Sequence, residues 1–266
     1  MARRSRASTT SVAEARRAPR VRPPFFVAVS GALLAIVAVG FGPTLYLRVL
    51  FDVLPIPAYL YVHGALLTAW FALVVTQAAL VHGRRVSTHR RLGWVGVCLG
   101  VAVVLASAVV TVRFAERIMR APGPGDVNLS VMMGFGSQEP LVELAATALW
   151  GNLLSLATFT VLVGCAVLMR TRVDAHGRFM LLASLSILPP AVARVSRWPG
   201  LGGDLGPLVP IVMLLLLSSM VGFDLYRSRR VHWATLTGGG LIVLGIVAGT
   251  LLARSDLGVS VVRRLV

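Results

Sequence analysis

Residues 61–93 read YVHGALLTAWFALVVTQAALVHGRRVSTHRRLG, an apolar run that empties into arginines and histidines. From residue 58 to residue 81 the polar exceptions include His63, Thr68 and Gln77. At about 1.5 Å of rise per residue, such a run crosses a bilayer core of roughly 30 Å. Residues seven apart on a helix lie within about 20° of one another, so His63, Trp70 and Gln77 form one stripe. Lipid offers an imidazole or an amide no partner, so the stripe is expected to face other helices or a wet cavity. There it serves either as interhelical hydrogen-bonding glue or as part of a site.

The rest of the 266 residues has the same character: 56% are hydrophobic, and the net charge of +16 is carried by arginine, lysine being absent. Mean hydropathy is +0.82, which points to a membrane bundle and away from soluble domains. A basic balance raises nucleic acid as a partner. These arginines, however, fall in short connections and at the N-terminus, the pattern of topology control and anionic-lipid contact. The partners expected are therefore the lipid bilayer and, beyond it, a membrane-protein partner or a homo-oligomer, not nucleic acid. Cys98 and Cys165 sit in apolar segments without CxxC spacing and read as small packing residues, not a disulfide.

Residues 1–24 hold seven arginines and no apolar periodicity, and read as a disordered cytoplasmic tail. The apolar run behind them, 25–47, is too long for a signal peptide and lacks a small-residue cleavage site. Its end should be loosened by Gly42-Pro43. Further spans are expected at 58–81, 92–112, 141–169, 179–195, 207–226 and 233–252, with a short tail at 253–266. The fifth is short and carries Pro189-Pro190, which leaves carbonyls for neighbours or water to satisfy. The connection 113–140 holds a Pro-Gly-Pro-Gly turn and a piece, 129–135, too short to span. The fold class expected is all-α, an integral membrane bundle of seven transmembrane helices. With the N-terminus inside, 17 arginines fall on the inner side and nine on the outer. That favours a cytoplasmic N-terminus in a bacterial inner membrane.

One motif recurs. RVSTHRRL (85–92) and RVDAHGRF (172–179) share RVxxHxR and an apolar residue, and each joins an even-numbered span to the next. Arg230-Val231-His232 echoes its first letters before the last span. Ser87 and Asp174 are expected to cap the helices that follow, and a duplicated helical hairpin would account for the echo. The same residues carry a resemblance. YVHGALLTAW (61–70), HRRLGW (89–94) and DAHGRFMLLAS (174–184) followed by Arg194 resemble an uncharacterised bacterial family of multi-pass membrane proteins, over about residues 41–252. That resemblance implies a helical bundle and brings no activity with it. In helix count and inner-side histidines the chain is also faintly similar to haem-binding bundles of the cytochrome b561 and ferric-reductase type. The similarity makes haem b the cofactor to consider. Those bundles hold each haem between two histidines at one depth, and here His63 is alone in the outer half. Two stacked haems are thus not supported, and the arrangement leaves room for one haem or a metal near the inner face.

Two candidate sites follow. The inner one is His89, His176 and His232, with His82 nearby. Three histidines beginning three helices on one side can converge on a metal, a haem or a quinone head group. They can equally meet lipid head groups, as basic interfacial residues do. The outer candidate is His63, Glu143 and Arg194, with Trp70 and Gln77 of the stripe, and Glu139, Tyr59, Tyr61 and Trp150 around it. In it His63 exchanges protons beside a carboxylate–arginine pair that holds a polar ligand head. Alternatively, Glu143 and Arg194 form a structural ion pair. Asp224 and Arg227 read as a local pair on one helix. No phosphate loop, HExxH or nucleophile elbow occurs. The function expected is ligand or cofactor binding between helices. Haem- or quinone-linked redox work, small-solute transport and assembly of a membrane complex are the alternatives.

Overall fold

Helices begin and end where the chain changes from apolar to arginine-, glycine- or proline-bearing. A computed structural model describes residues 24–51, 56–121, 141–198 and 207–265. The expected disordered tail, the 129–135 piece and Glu139 lie outside those residues. The elements are α1 (Phe25–Phe41), α2 (Ala58–His82), α3 (Val86–Met119), α4 (Leu141–Leu168), α5 (Val173–Ser186), α6 (Pro189–Ala193), α7 (Leu208–Ser228), α8 (Trp233–Arg254) and α9 (Asp256–Leu265). Among the described residues there is no strand. Among the described residues six helices are long and apolar enough to cross a membrane. Their outward faces are apolar too: Leu105, Leu214, Leu215 and Leu251 are each 64–66% exposed, as suits a surface bathed in lipid.

Proline and glycine set the irregularities. Pro43 has no N–H to donate, and α1 widens there into a π turn, Gly42–Tyr46. Leu47 N then reaches back to Gly42 O at 2.8 Å, and Trp198 Nε1 donates to Val39 O, four residues before the proline, at 2.7 Å. The α2–α3 connection turns tightly because Arg84 adopts a left-handed conformation, φ 61°. α3 has 34 residues, about 51 Å at the standard rise, and so overshoots the expected 92–112 span at both ends. Its last turns carry Arg113, Glu116, Arg117 and Arg120, with Arg120 and Glu116 3.9 Å apart.

The expected caps are corrected. α3 and α5 begin one residue after Arg85 and Arg172, which occupy the cap positions without a side-chain hydrogen bond. Ser87 and Asp174 already lie in the first turn. Side chains cap two other helices: His232 Nδ1 accepts from Ala234 N at 3.1 Å at the start of α8, and Ser255 Oγ accepts from Gly258 N at 3.0 Å at the start of α9. The expected C-terminal tail folds as α9, amphipathic, with Gly258 and Val262 buried. Trp150 Nε1 donates to Gly258 O at 3.2 Å and ties α9 to α4.

α4 is the central helix, packing against α3, α5 and α8. Close approach depends on small residues, as between helices in lipid. A Cβ on Gly238 would lie 2.6 Å from Leu182, and one on Gly245 2.7 Å from Thr158 Oγ1. The main core gathers Trp70, Phe159, Phe179, Leu162 and Leu182. A second, at the other end, joins Ile118, Leu149, Ala253 and Val262.

The proline-bearing segment is among the most buried parts of the chain, with Leu182, Ala183, Ser184 and Leu188 at 0% exposure. α5 stops at Ser186 and α6 restarts on Pro189 and Pro190, which fit a first helical turn because no N–H is needed there. α5 and α6 together run alongside α1 in the same direction. Gly177 lies against Phe26, and a Cβ on Gly40 would come 2.0 Å from Ala191 O. The broken segment therefore covers the depth of α1 from Phe26 to Gly40, about 21 Å.

Candidate functional site

The repeated motif places its histidines together. RVSTH opens α3 and RVDAH opens α5, so His89 and His176 occupy the same fourth position of two helices. Their rings meet edge to face, centroids 6.1 Å apart at 86°. His176 is also held by the helix that precedes it. His176 Nδ1 lies 2.8 Å from Ala166 O in α4; a carbonyl only accepts, so this nitrogen carries the proton and Nε2 keeps its lone pair. His89 is set against the Gln77 carbonyl of α2, and its buried Nδ1 has no partner. The buried Gln77 Oε1 also lacks one. Gln77 Nε2 sits beside Gly93, one turn along α3 from His89. Gln77 thus belongs to this end of the bundle and not to the outer group in which the sequence placed it.

His232 does not join the pair. Its Nδ1 is used as the cap of α8, and its ring tilts against Trp233, centroids 5.7 Å apart. Burial, and then the Arg178 guanidinium, push its pKa below the ordinary histidine range, while Asp224 and Asp174 pull the other way. His82 is exposed. Among the described residues no three His, Cys, Asp or Glu side chains converge on a metal position.

Beside the histidines lies a buried polar lock. Asp224 Oδ1 accepts from Arg178 Nε at 3.0 Å and from Arg178 Nη2. Oδ2 accepts from Thr235 Oγ1 at 2.6 Å and from His232 N at 3.0 Å. The expected Asp224–Arg227 pair is therefore replaced by a pair that ties α7 to α5 and α8. Arg178 packs over Phe26 and Phe223, 6.0 and 5.9 Å from their ring centres, and Phe25 stacks on Phe223 at 4.1 Å. Sequence reasoning missed Arg178. The available signal was its place as the last arginine of RVxxHxR, inside a helix and on the side where Asp224 ends α7.

The outer group is dispersed. Trp70 is a core residue: it crosses Phe159 at 4.9 Å and donates from Nε1 to Ser184 Oγ at 3.1 Å. Glu143 is exposed on α4, and no ion pair joins it to Arg194 among the described residues. Tyr61 accepts from Arg48, and Arg113 lies over the Tyr59 ring at 5.0 Å. Of the outer group, Arg194 is the charged residue that acts electrostatically on His63, whose buried Nδ1 has no partner. Cys98 is exposed and Cys165 half-buried, and both are free thiols.

No family model matches the sequence, and no curated protein or solved structure proves similar to it.

Proposed function

We propose that this is a seven-crossing protein of a bacterial inner membrane, with a cytoplasmic N-terminus, that binds a small ligand or cofactor between its helices at the arginine-rich end. One observation carries the reading: His89 and His176 meet edge to face at equivalent positions of two hairpins, the His176 ring fixed by the Ala166 carbonyl and the buried His89 Nδ1 left without a partner. Holding one ring nitrogen by a backbone carbonyl is how proteins orient an imidazole whose other nitrogen is to work. Two such rings can ligate one haem iron, or exchange protons with the two oxygens of a quinone head group. A resident metal site normally takes three or four protein ligands, so an organic group or a haem suits two histidines better than a bare ion. The seventh crossing is supported by the α5–α6 segment, which runs the depth of α1.

The test is the reduced-minus-oxidised visible spectrum of the detergent-purified protein, with metal and quinone analysis of the same sample. A b-type band or a stoichiometric quinone, lost in His89→Ala and His176→Ala, is the expected result. A colourless protein free of metal and quinone refutes the reading. Cysteine labelling in intact cells checks topology: a cysteine at 90 should be shielded from an impermeant reagent, and one at 264 should react. Equal labelling at both positions would remove the seventh crossing.

A further inference from the structure

Arg178 and Arg194 are mounted alike. Each donates from Nη1 to the carbonyl four residues earlier, Arg178 to Asp174 O at 2.8 Å and Arg194 to Pro190 O at 2.9 Å. Each lies over a phenylalanine of α1, Phe26 at 6.0 Å and Phe41 at 4.9 Å. One stands near each end of the broken α5–α6 segment. They differ at the remaining edge of the guanidinium. Nε and Nη2 of Arg178 both donate to the Asp224 carboxylate. Among the described residues no carboxylate comes within ion-pair distance of Arg194.

The group that acts electrostatically on His63 is Arg194, and the packing agrees. Arg194 covers Phe41. One turn further along α1, Leu45 packs into the place a Cβ on Gly64 would take, 2.6 Å away. His63 Nδ1 is buried without a partner. A cation within a bundle ordinarily finds an anion or leads to one. The Nε–Nη2 edge of a guanidinium matches two oxygens of a carboxylate or phosphate, and an imidazole N–H can supply a further donor. The helix breaks just before this point, at Pro189-Pro190. Interrupted helices are where membrane bundles commonly place the polar head of a ligand.

We propose that Arg194 and His63 bind an oxyanion, the carboxylate or phosphate of a ligand reached from the end of the bundle opposite the arginine-rich loops. Arg194 grips it through Nε and Nη2, as Arg178 grips Asp224, and His63 donates from Nδ1. The site is separate from the histidine pair, so either can fail without the other.

The test uses full-length protein in neutral detergent. Thermal unfolding is followed by tryptophan fluorescence in acetate or phosphate against chloride at equal ionic strength, and co-purified phospholipid is identified by mass spectrometry. A free solute as ligand predicts a rise in midpoint with acetate or phosphate. A lipid head group predicts retained anionic phospholipid and no response to the salts. In either case Arg194→Gln abolishes the effect, and His63→Ala weakens binding about ten-fold, the value of one charge-assisted hydrogen bond. A wild-type protein with neither response, or an Arg194→Gln variant that behaves as wild type, overturns the proposal. If Arg194→Gln does not fold, Arg194→Lys keeps the charge and loses the two-point grip. Unchanged binding in both Arg194→Lys and His63→Ala would then be decisive against it.

Discussion

Replacing Asp224 by alanine should be the most damaging single change at the arginine-rich end. The carboxylate accepts from Arg178 twice, from Thr235 and from His232 N, and the side chains of Asp224 and Arg178 are only 1% and 6% exposed. Asp224→Ala leaves the guanidinium buried with the Asp174 carbonyl and two rings. Loss of one partner of a buried ion pair costs about 3–5 kcal/mol. The Thr235 and His232 bonds add roughly 1 kcal/mol each. The sum, about 5–7 kcal/mol, is of the order of a whole domain's stability. Asp224→Asn keeps one oxygen acceptor, turns the other into a donor and loses the charge, so about 2–3 kcal/mol is expected for it. The assay is reversible unfolding in mixed micelles, read by tryptophan fluorescence, as a double-mutant cycle with Arg178→Met. Because the apolar arginine substitute removes the orphaned charge, Arg178→Met combined with Asp224→Ala should be more stable than Asp224→Ala alone. Additive single-mutant costs, with no coupling, would refute the reasoning.

Three further outcomes are expected. Gly40→Ala places a Cβ 2.0 Å from the Ala191 carbonyl, whereas Gly31→Ala on the same helix meets nothing within 4 Å. Unfolding midpoints should fall for the first by the equivalent of about 1–3 kcal/mol and stay near wild type for the second. Trp70→Phe keeps the contact with Phe159 and loses the bond to Ser184, for about 1 kcal/mol; Trp70→Ala, which also opens a core cavity, should cost about 3–5 kcal/mol. The cap of α8 requires an unprotonated His232 Nδ1, and burial with Arg178 holds its pKa below the usual 6.5. Its contribution is therefore complete above that pH and is lost as pH falls through the lowered pKa. His232→Asn, which still caps and does not titrate in this range, should flatten the unfolding midpoint between pH 7.5 and pH 5, about the window set by the histidine reference value. An unchanged pH profile in that variant would assign the effect elsewhere.

Membrane helices were legible because hydropathy and span length are local properties that any window of sequence displays. The position of α2 and the loosening at Gly42-Pro43 follow from composition and from the missing proline N–H. The overshoot of α3 was not legible: Arg113, Glu116 and Arg117 read as a loop, yet a helix tolerates charges once it has left the apolar layer. The inward stripe of α2 was readable from seven-residue spacing, but its three members serve three places. Trp70 is core, Gln77 stands beside the histidines, and His63 lies near the other end with its buried Nδ1 unpartnered. Spacing says which residues share a face and nothing about what lies opposite at each depth.

Partner choice separates the two levels. By itself the sequence determined a series of long apolar helices, the asymmetry of the arginines and the RVxxH echo, since each depends on residues adjacent in the chain. Only the tertiary structure decided that Asp224 takes Arg178, 46 residues away, over Arg227, three away. It likewise decided that His89 meets His176 while His232 caps a helix, and that Arg194, not Glu143, is the charged group acting on His63. The reason is that a buried charge or imidazole takes its partner from whatever helix packs beside it. Which helices are neighbours depends on glycine contacts, the proline break and the central position of α4, and no single stretch of the chain records these.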